Sequence, residues 1–427
     1  MPVTLGIDMG SHGARAVATR DGAILAAAAA DHASPPPARR RGEDLWHVLA
    51  EAVRSLPTDV RRDVAAIGLT GVRGAVIGLA GDGTPITPLY PDFDDDAVPV
   101  TRALAERLGG TFLASTGCPL FPLAGLPKML LPTSRPVAWW LGAQDYAAFR
   151  LTGRIALSAG SALRLGVLDA DGTAVNGAML AEACIAPETI PPLVPVGETT
   201  GLLTRAAAAE LGLAADIPVV ACPGDVPAGF VAVGTAPDMA FANLGTTTVV
   251  CRLASGPATH GEFTREILGG GRRSLETGFG AGGITFDWLS RLFGVPHATL
   301  EAEAAAASPS RIRVEPELLS PWGAQPAGMV GGITVSDGRG EVVRAAYRSV
   351  ADRLIAILAD LAAAAGPVAH LVLGGGGASS DLLCREIARS WKGSLQRLPH
   401  RELAAEGAAS VAALAATHAR TVQRVAG

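Results

Sequence analysis

The first thirty residues alternate short apolar runs with turns. Residues 3–8 form an apolar run that ends in an acid, and a glycine-containing turn over residues 9–13 follows it. Two further apolar runs, within residues 14–30, are separated by Asp21-Gly22. Because Asp-Gly between apolar runs is a strong hairpin signal, the pattern predicts strand, turn, strand, turn, strand. The alanine content leaves a helix open as the alternative for the second and third runs.

The rest of the chain alternates between helical and strand periods. Apolar residues spaced three and four apart predict a helix over residues 43–56. Strands are predicted at 65–70, 75–79, 217–222, 241–244, 248–251 and 371–373, and further helices at 138–151, 204–212, 341–365, 379–391 and 403–418. The stretch 112–136 is rich in proline and glycine and predicts a loop. The basic triplet Arg39-Arg40-Arg41 follows a run of prolines and is expected to be a solvated loop.

From residue 240 the order seen at the start of the chain returns. Two predicted strands again flank a turn, here Gly245-Thr246-Thr247, and an Asn replaces the Asp that precedes the first turn. The two halves are only weakly similar in sequence. We therefore predict an α/β chain of two halves, each opening with a hairpin whose turn carries a glycine and a hydroxyl group.

Composition narrows the class of protein. A chain of 427 residues has the length of two or three domains of about 150 residues. With 49% hydrophobic and 18% charged residues it is not a disordered chain. The net charge of −5 argues against a general surface for nucleic acid or anionic membrane. No apolar run reaches the roughly 18 residues of a membrane span, and the start lacks a basic leader, so we predict a cytoplasmic protein.

Absent motifs exclude several enzyme classes. The only lysines, Lys128 and Lys392, do not follow a glycine, which excludes a Walker-type P-loop. The sequence contains no H-E-x-x-H and no G-x-S-x-G. The five cysteines are widely spaced, without a C-x-x-C pair, and predict free thiols. Any nucleotide phosphate must therefore be bound by backbone amides, hydroxyl groups and a metal ion.

The first turn, the similar turn 245–247 and the tetraglycine 374–377 carry residues suited to that chemistry. In the first turn Gly10 allows backbone amides to approach a phosphate and Ser11 adds a hydroxyl, while Asp8 suits a hydrated Mg²⁺. An ordinary polar hairpin is the alternative there. The tetraglycine 374–377, between a strand and a helix, suits a flat ligand lying on backbone. Its alternative is a dinucleotide fingerprint, which would be expected at the first strand–helix turn of a domain instead.

A single carboxylate is the candidate general base. Asp225 follows the predicted strand 217–222 on a proline-flanked turn, where it can accept a proton from a substrate hydroxyl. A helix N-cap is the alternative. Asp92 belongs to an acidic cluster with Asp94–Asp96 that lacks the glycine and terminal glutamate of a calcium loop and is expected to be mostly solvated.

Taken together, four segments occur in the order typical of the FGGY carbohydrate kinases, within the actin/Hsp70-type ATPase superfamily. The segments that resemble its motifs are residues 6–15 (first phosphate motif), 223–234 (catalytic aspartate), 243–247 (second phosphate motif) and 373–409 (adenosine motif and closing helix). The resemblance covers nearly the whole chain and is nearest to the compact ribulokinase-like and xylulokinase-like members. It implies two ribonuclease-H-like domains with a cleft between them.

The resemblance also implies roles for individual residues. An N-terminal domain, residues 1–230, would bind the sugar, and a C-terminal domain, residues 231–427, would bind the nucleotide. Asp225 is implied as the catalytic base, with ATP as the phosphoryl donor and Mg²⁺ bound through Asp8. The residues implied to bind the nucleotide are Gly10, Ser11, Arg15, Gly245, Thr246, Thr247, Gly375, Gly376, Gly377 and Ser380.

The sugar-contact segments depart from the family pattern. Arg73 and Asp92 are the candidate sugar contacts, but residues 90–94 lack the arginine of the family's Trp-x-Asp-x-Arg pattern, and residues 323–326 keep only part of its Gly-Glu-Arg-x-Pro pattern. The expected function is an ATP-dependent kinase of a small sugar, either a ketopentose (ribulose or xylulose) or a polyol. The alternatives are a non-catalytic nucleotide-binding regulator on the same scaffold and an NAD-dependent oxidoreductase. The oligomeric state is left open, with a homodimer as one option.

Overall fold

A computed structural model gives the fold, and its contacts divide the chain into two compact units. The model describes residues 2–255, 263–308, 310–317, 328–398 and 402–426. The first unit comprises Met1–Gly234, Thr264–Ser274 and Glu402–Gly427, and the second comprises Thr235–Phe263 and Leu275–Arg401. The predicted boundary after residue 230 lies close to the first break, but a single boundary misses the two later segments that return to the first unit. The 323–326 stretch lies outside the described residues.

The secondary structure is mixed along the whole chain. The strands are β1 (Val3–Met9), β2 (Gly13–Arg20), β3 (Ala23–Asp31), β4 (Val64–Gly71), β5 (Val76–Leu79), β6 (Trp139–Gly142), β7 (Leu157–Ser158), β8 (Leu193–Val194), β9 (Thr199–Leu202), β10 (Pro218–Ala221), β11 (Met239–Leu244), β12 (Thr248–Leu253), β13 (Thr264–Gly269), β14 (Arg272–Phe279), β15 (Arg313–Glu315), β16 (Met329–Gly331), β17 (His370–Gly374) and β18 (Ser394–Arg397). The α-helices are α1 (Gly42–Arg54), α2 (Thr58–Arg62), α3 (Ala97–Leu108), α4 (Thr111–Thr116), α5 (Leu126–Met129), α6 (Ala143–Thr152), α7 (Ala159–Leu165), α8 (Gly177–Glu182), α9 (Arg205–Leu211), α10 (Asp225–Val233), α11 (Gly283–Phe293), α12 (His297–Ala306), α13 (Arg339–Ala365), α14 (Asp381–Ser390) and α15 (Leu403–Ala426). None of the helices in the described residues is long and apolar enough to cross a membrane.

The first unit is built on a six-stranded sheet in the order β3-β2-β1-β4-β10-β9. Strands β1, β2 and β3 pair antiparallel, which confirms the predicted strand–turn–strand–turn–strand start. Strands β1, β4 and β10 run parallel. Alternate residues of these strands face two different cores. One face packs with α1 in the main core, and the other packs with the alanine-rich side of α15.

The second unit repeats this topology. Five neighbouring strands of a six-stranded sheet lie in the order β14-β12-β11-β17-β18, with β11 antiparallel to β12 and parallel to β17. This is the order β3-β2-β1-β4-β10 of the first unit, and it is the ribonuclease-H-like arrangement that the resemblance implied. The long helix α13 supplies much of the apolar core of this unit. The predicted pair of α/β halves is therefore confirmed.

Three local predictions were wrong. The predicted helix 138–151 begins as strand β6, which pairs antiparallel with β5, and becomes helical only at Ala143. The predicted loop 112–136 contains the short helices α4 and α5. In each case packing overrode a local preference, because the strand found a partner and the short helices bury Phe112, Leu126 and Met129 in a second core of the first unit.

The basic triplet is the third correction, because its members have three different environments. The side chain of Arg41 is 82% exposed, as expected of a solvated loop. Arg40 is only 7% exposed. Arg39 forms a bidentate pair with Asp94, which is itself buried although it was expected to be solvated. Two of the three arginines are thus part of the folded structure.

Candidate active site

The parallel strands of the first unit bring three distant segments to one edge of the sheet. Asp8 at the end of β1 is level with Thr70 of β4, and β10 lies on the other side of β4. Ligands bind at the carboxyl ends of the strands in such sheets. The Thr70 hydroxyl donates to the Pro223 carbonyl at 2.7 Å, which ties the end of β4 to the turn that follows β10. Asp8, Arg73 and Asp225 therefore follow neighbouring strand ends.

Asp225 occupies the first helical position of α10. Gly224 is the N-cap, so the N-cap alternative for Asp225 does not apply. One carboxylate oxygen, Oδ1, accepts a hydrogen bond from the Val226 amide at 2.8 Å and another from Arg73 Nε at 2.8 Å. About a third of the side chain (32%) remains exposed. The carboxylate is therefore oriented by two donors, beside the positive end of the helix dipole, and still open to a ligand.

Arg73 joins Asp225 to a second, buried carboxylate. Its Nη1 donates to Oε1 of Glu266 at 2.8 Å, and the same oxygen accepts from Arg164 Nε at 2.6 Å. Glu266 lies on β13 and its side chain is 1% exposed. Arg73 was predicted from the sequence, whereas Glu266 and Arg164 were not. The signal for Glu266 is an acid in the middle of a short, otherwise half-apolar strand.

Asp8 carries an unusual carboxyl group. Burial, together with the nearby charges of Asp225 and Glu402, raises the pKa of Asp8 to about 8, although Arg15 opposes this shift. Its Oδ1 is buried and has no hydrogen-bond partner among the described residues. A buried, unpartnered carboxylate oxygen close to two other carboxylates fits a divalent cation, which would relieve the repulsion.

The described residues contain no group of three or more His, Cys, Asp or Glu side chains arranged to hold a metal ion. Mg²⁺ does not need such a group, because it binds through one or two carboxylates, substrate phosphates and water. Asp8 therefore satisfies the requirement for a protein ligand to Mg²⁺ without a dedicated cage.

The first turn, residues 9–13, is fixed by hydrogen bonds that its backbone carbonyl groups accept. The Ser11 carbonyl accepts from Arg40 Nη2 at 3.1 Å, and the Met9 carbonyl accepts from the Val72 amide at 3.0 Å. Gly10 and Ser11 are partly exposed. Arg15, which was expected to contact phosphate, pairs instead with Asp31 at 2.8 Å and lies 3.7 Å from Glu402. A phosphate contact by Arg15 stays a prediction.

Asp92 lies near Asp225, in a partly buried position. Burial raises the pKa of Asp92, Lys128 lowers it, and Asp225 raises it further. Lys128 is fully buried and donates to the carbonyls of Gly74 and Ala124, both at 3.0 Å. Burial lowers the pKa of Lys128 to about 7, against the attraction of Asp92. The sequence analysis used Lys128 only to exclude a P-loop and did not place it beside the site.

A small pocket connects Asp92 with the first turn. Its lining includes Gly10, Ser11, His32, Arg40, Val72 and Asp92. Burial and the charge of Arg40 lower the pKa of His32 to about 4, so its imidazole is neutral at pH 7. The pocket thus offers uncharged and charged polar groups around one of the two predicted sugar contacts.

In the second unit, the turn 245–247 has its carbonyls bound by the start of a helix. The Gly283 and Ile284 amides of α11 donate to the Gly245 and Thr246 carbonyls at 2.9 and 3.0 Å. The Gly245 amide is bound to the Thr247 carbonyl at 3.1 Å, and Thr246 is exposed. The register of β11 with β17 places Asn243 level with Gly374, so this turn and the glycine run lie at one edge of the sheet.

Packing within the protein itself requires glycine at two positions of the run 374–377. Gly375 has φ +79°, and a Cβ there would lie 2.5 Å from Asn243 Oδ1 and 2.9 Å from the Leu244 carbonyl. A Cβ on Gly377 would lie 2.9 Å from the Leu244 side chain, whereas one on Gly376 would have no atom within 4 Å. Two of these glycines therefore allow β11 to approach, and Gly376 is the most exposed of the three.

Ser380 caps the helix that follows the glycine run. Its hydroxyl accepts from the Leu383 amide at 3.1 Å and donates to Glu301 Oε1 at 2.8 Å. Both bonds support the start of α14. The nucleotide contacts of Ser380 and of the glycines stay predictions.

Comparison with known proteins decides the family. The model of the FGGY family of carbohydrate kinases, N-terminal domain, matches residues 3–232, and that of the C-terminal domain matches residues 240–416. This chain belongs to the FGGY family of carbohydrate kinases. As an FGGY kinase it is a sugar phosphotransferase that uses ATP. These matches give no support to the non-catalytic regulator or to the NAD-dependent oxidoreductase.

Proteins similar to this chain share one fold but are named after different substrates. A xylulose kinase of Streptomyces rubiginosus is 26% identical over 97% of this FGGY kinase and 86% of the relative. The structure of a xylulose kinase from Lactobacillus acidophilus matches with a TM-score of 0.88 at 18% identity, over 98% of this chain and 90% of that one. A gluconate kinase from the same organism also gives 0.88, at 19% identity, over 97% and 89%. The fold is therefore established, and the fold alone does not select the sugar.

Proposed function

We propose that this FGGY kinase phosphorylates a small neutral ketose, with xylulose as the first candidate and ribulose and polyols as the next. The observation that carries the proposal is the position of Asp225 at the start of α10, partly exposed and oriented by Arg73. The name of the Streptomyces relative supports xylulose.

The balance of charges around Asp225 favours an uncharged sugar as the substrate. Arg73 and Arg164 supply two positive charges, and Asp225 and Glu266 supply two negative charges, within one set of ion pairs. An anionic sugar acid would add a charge that this set does not balance. A polyhydroxylated neutral sugar needs only hydrogen bonds, which Arg73 and Asp92 are suited to make.

In the proposed reaction Asp225 accepts the proton of the attacking hydroxyl group. The sugar oxygen forms a bond to the γ-phosphorus of ATP, the bond between that phosphorus and the bridging oxygen breaks, and ADP leaves. Phosphoryl transfer needs little covalent help, so the contribution of the protein is mainly position and charge. The proton on Asp225 then passes to water.

Asp8 is the residue that would hold Mg²⁺, which neutralises charge on the phosphate oxygens when it is bound. The turns at Gly10–Ser11 and Gly245–Thr247 are proposed to bind phosphates through their amides and hydroxyl groups, and the open Gly376 is proposed to lie against the adenosine. A cytoplasmic location and a homodimer stay predictions, and light scattering of the purified protein tests the second.

The deciding experiment couples ADP release to NADH oxidation over a sugar panel. The panel contains D-xylulose, L-xylulose, D-ribulose, ribitol, erythritol, glycerol and gluconate, each with Mg²⁺ and ATP. We expect turnover on a ketopentose and a loss of about 10²–10⁴ in kcat for Asp225→Asn, the usual contribution of a general base. Silence on every sugar, or an unchanged rate in the variant, contradicts the proposal.

A further inference from the structure

The buried side of the Asp225 site is an alternating row of charges. Asp225 contacts Arg73, Arg73 contacts Glu266, and Glu266 contacts Arg164, with donor–acceptor distances of 2.8, 2.8 and 2.6 Å. The exposed fractions of the side chains fall from 32% at Asp225 to 11% at Arg73 and 1% at Glu266. Three distant parts of the chain, around residues 73, 164 and 266, supply the members behind Asp225.

Two arginines share one oxygen of Glu266. Both Arg73 Nη1 and Arg164 Nε donate to Oε1. A carboxylate buried to this degree is stable only when it is paired, and removing its charge takes a shared negative partner from two largely buried guanidinium groups. Asp225 then remains as a negative partner of Arg73. Glu266 therefore controls how strongly Arg73 is drawn onto Asp225.

The aliphatic part of the Arg73 side chain, its stem, is held in place by packing and not by its charge. A Cβ on Gly224 would collide with Cγ and Cδ of Arg73, so the arginine stem lies directly on the glycine backbone. Gly224 has φ −65° and ψ 172°, a conformation that alanine also adopts. The glycine is thus required by the space that Arg73 occupies, and not by its own backbone angles.

We propose that Glu266 and Arg164 are positioning residues for the phosphoryl-transfer site. They hold the outer end of Arg73, while Gly224 supports its stem, so that Nε meets Asp225 at the angle that leaves the carboxylate directed at the sugar hydroxyl. Glu266 touches neither sugar nor nucleotide in this proposal and acts through Arg73. The inference rests on the proposed role of Asp225 and adds the residues that orient it.

The chain offers a matched control for the charge. Glu386 of α14 is also buried, at 5% exposure, and also has two arginine partners, Arg389 at 2.9 Å and Arg344 at 3.7 Å. Glu266→Gln and Glu386→Gln therefore remove the same charge from similar surroundings. We expect kcat to fall about 10–100-fold in Glu266→Gln, with the KM for ATP changed less than threefold, and to stay within twofold in Glu386→Gln.

A double variant tests charge balance. Glu266→Gln/Arg164→Met removes one charge of each sign, and we expect it to regain at least fivefold in kcat over Glu266→Gln alone. Equal losses in the Glu266 and Glu386 variants, a kcat of Glu266→Gln within twofold of the wild type, or no recovery in the double variant would each overturn the proposal.

A second variant displaces Arg73 without changing charge. In Gly224→Ala the new methyl group must push the arginine stem aside, and we expect a kcat loss similar to that of Glu266→Gln, with little change in thermal stability. Gly81→Ala is the control, because a Cβ there meets no atom within 4 Å. An undiminished kcat in Gly224→Ala would contradict the positioning role.

Crystal structures separate this inference from the proposed function. We expect the Arg73 guanidinium to shift from its place beside Asp225 in both Glu266→Gln and Gly224→Ala, a result that needs no turnover. If Arg73 keeps its 2.8 Å contact with Asp225 in both variants, the positioning role is wrong even if the enzyme is a ketose kinase. If Arg73 moves but the sugar panel is silent, the proposed function alone fails.

Discussion

At the scale of single residues, the main feature is a set of carboxyl groups held close together. Burial, together with the charges of Asp225 and Glu402, makes Asp8 costly to ionise. Such a carboxyl group destabilises the fold when it is ionised. The Mg²⁺ that we propose to bind at Asp8 would relieve this unfavourable interaction.

This cost predicts a pH-dependent effect of Asp8→Asn. The pKa of Asp8 is about 8 in the folded state against an ordinary value of 3.8. Between these values the folded state holds a proton that the unfolded chain has lost, so the wild type loses stability as pH rises. We expect Asn to stabilise the protein by on the order of 2 kcal/mol at pH 8, and by less at pH 5.5.

Urea unfolding of the apoprotein at both pH values measures this difference. An Asn variant that is less stable than the wild type at pH 8, or equally stabilised at both pH values, contradicts the assignment. Addition of Mg²⁺ and ADP is expected to stabilise the wild type more than the variant, since only the wild type has the carboxylate.

At the scale of elements, the loop between β3 and α1 organises the segment that contains Asp92. Arg39 binds Asp94 in a bidentate pair, reaches Asp96 at 2.5 Å, and lies over the Tyr90 ring at 5.0 Å. The family pattern has an arginine at the position of Asp94. Here the guanidinium comes from a different segment, because Arg39 pairs with Asp94 itself.

Variants of Arg39 and of the nearby Arg41 test whether this loop anchors the segment that contains Asp92. Arg39→Met is expected to lower the free energy of unfolding by about 1 kcal/mol and to raise the KM for the sugar several-fold with little change in kcat, because residues 90–96 lose their anchor. Arg41→Met is the control and should leave the stability nearly unchanged, since its side chain is 82% exposed. Urea denaturation and steady-state kinetics measure both effects. Identical behaviour of the two variants would show that Arg39 is no anchor.

At the scale of the whole molecule, one topology occurs twice, and each unit has hydrophobic cores of its own. The first unit is completed by a helix from the far end of the chain, α15, whose buried face is mostly alanine: Ala405, Ala408, Ala409 and Ala412 are unexposed. Small side chains let this helix lie close to the sheet. The second unit has its own core around α13.

Overpacking α15 is expected to affect the first unit selectively. Ala408→Leu inserts a large side chain beside Ala66, Val220 and Cys222 and should destabilise the first unit by about 1–3 kcal/mol. Hydrogen exchange should accelerate in β1 and β4, while β11 and β17 keep their protection. Leu414→Ala, at a position 54% exposed, is the control. Equal acceleration in both units would contradict the separate cores.

The extent of sequence-based prediction follows from these examples. The opening hairpins, the two α/β halves and the family resemblance were predicted correctly, because turns and apolar periods are local signals. Strand β6 was mistaken for helix because only its pairing with β5 makes it a strand. The tetraglycine was assigned to a ligand, although two of its glycines are required by the approach of β11.

Local sequence was sufficient for the type and order of most elements and for the turns that bear Asp8, Asp225 and Gly245. Folding was needed to reveal which charges meet: Glu266 joins Arg73 from 193 positions away, and Arg39 joins Asp94 from 55 positions away. Secondary structure depends on neighbours along the chain, whereas the burial and pairing of a charge depend on neighbours in space. For that reason the contacts that surround the Asp225 carboxylate became visible only in the folded protein.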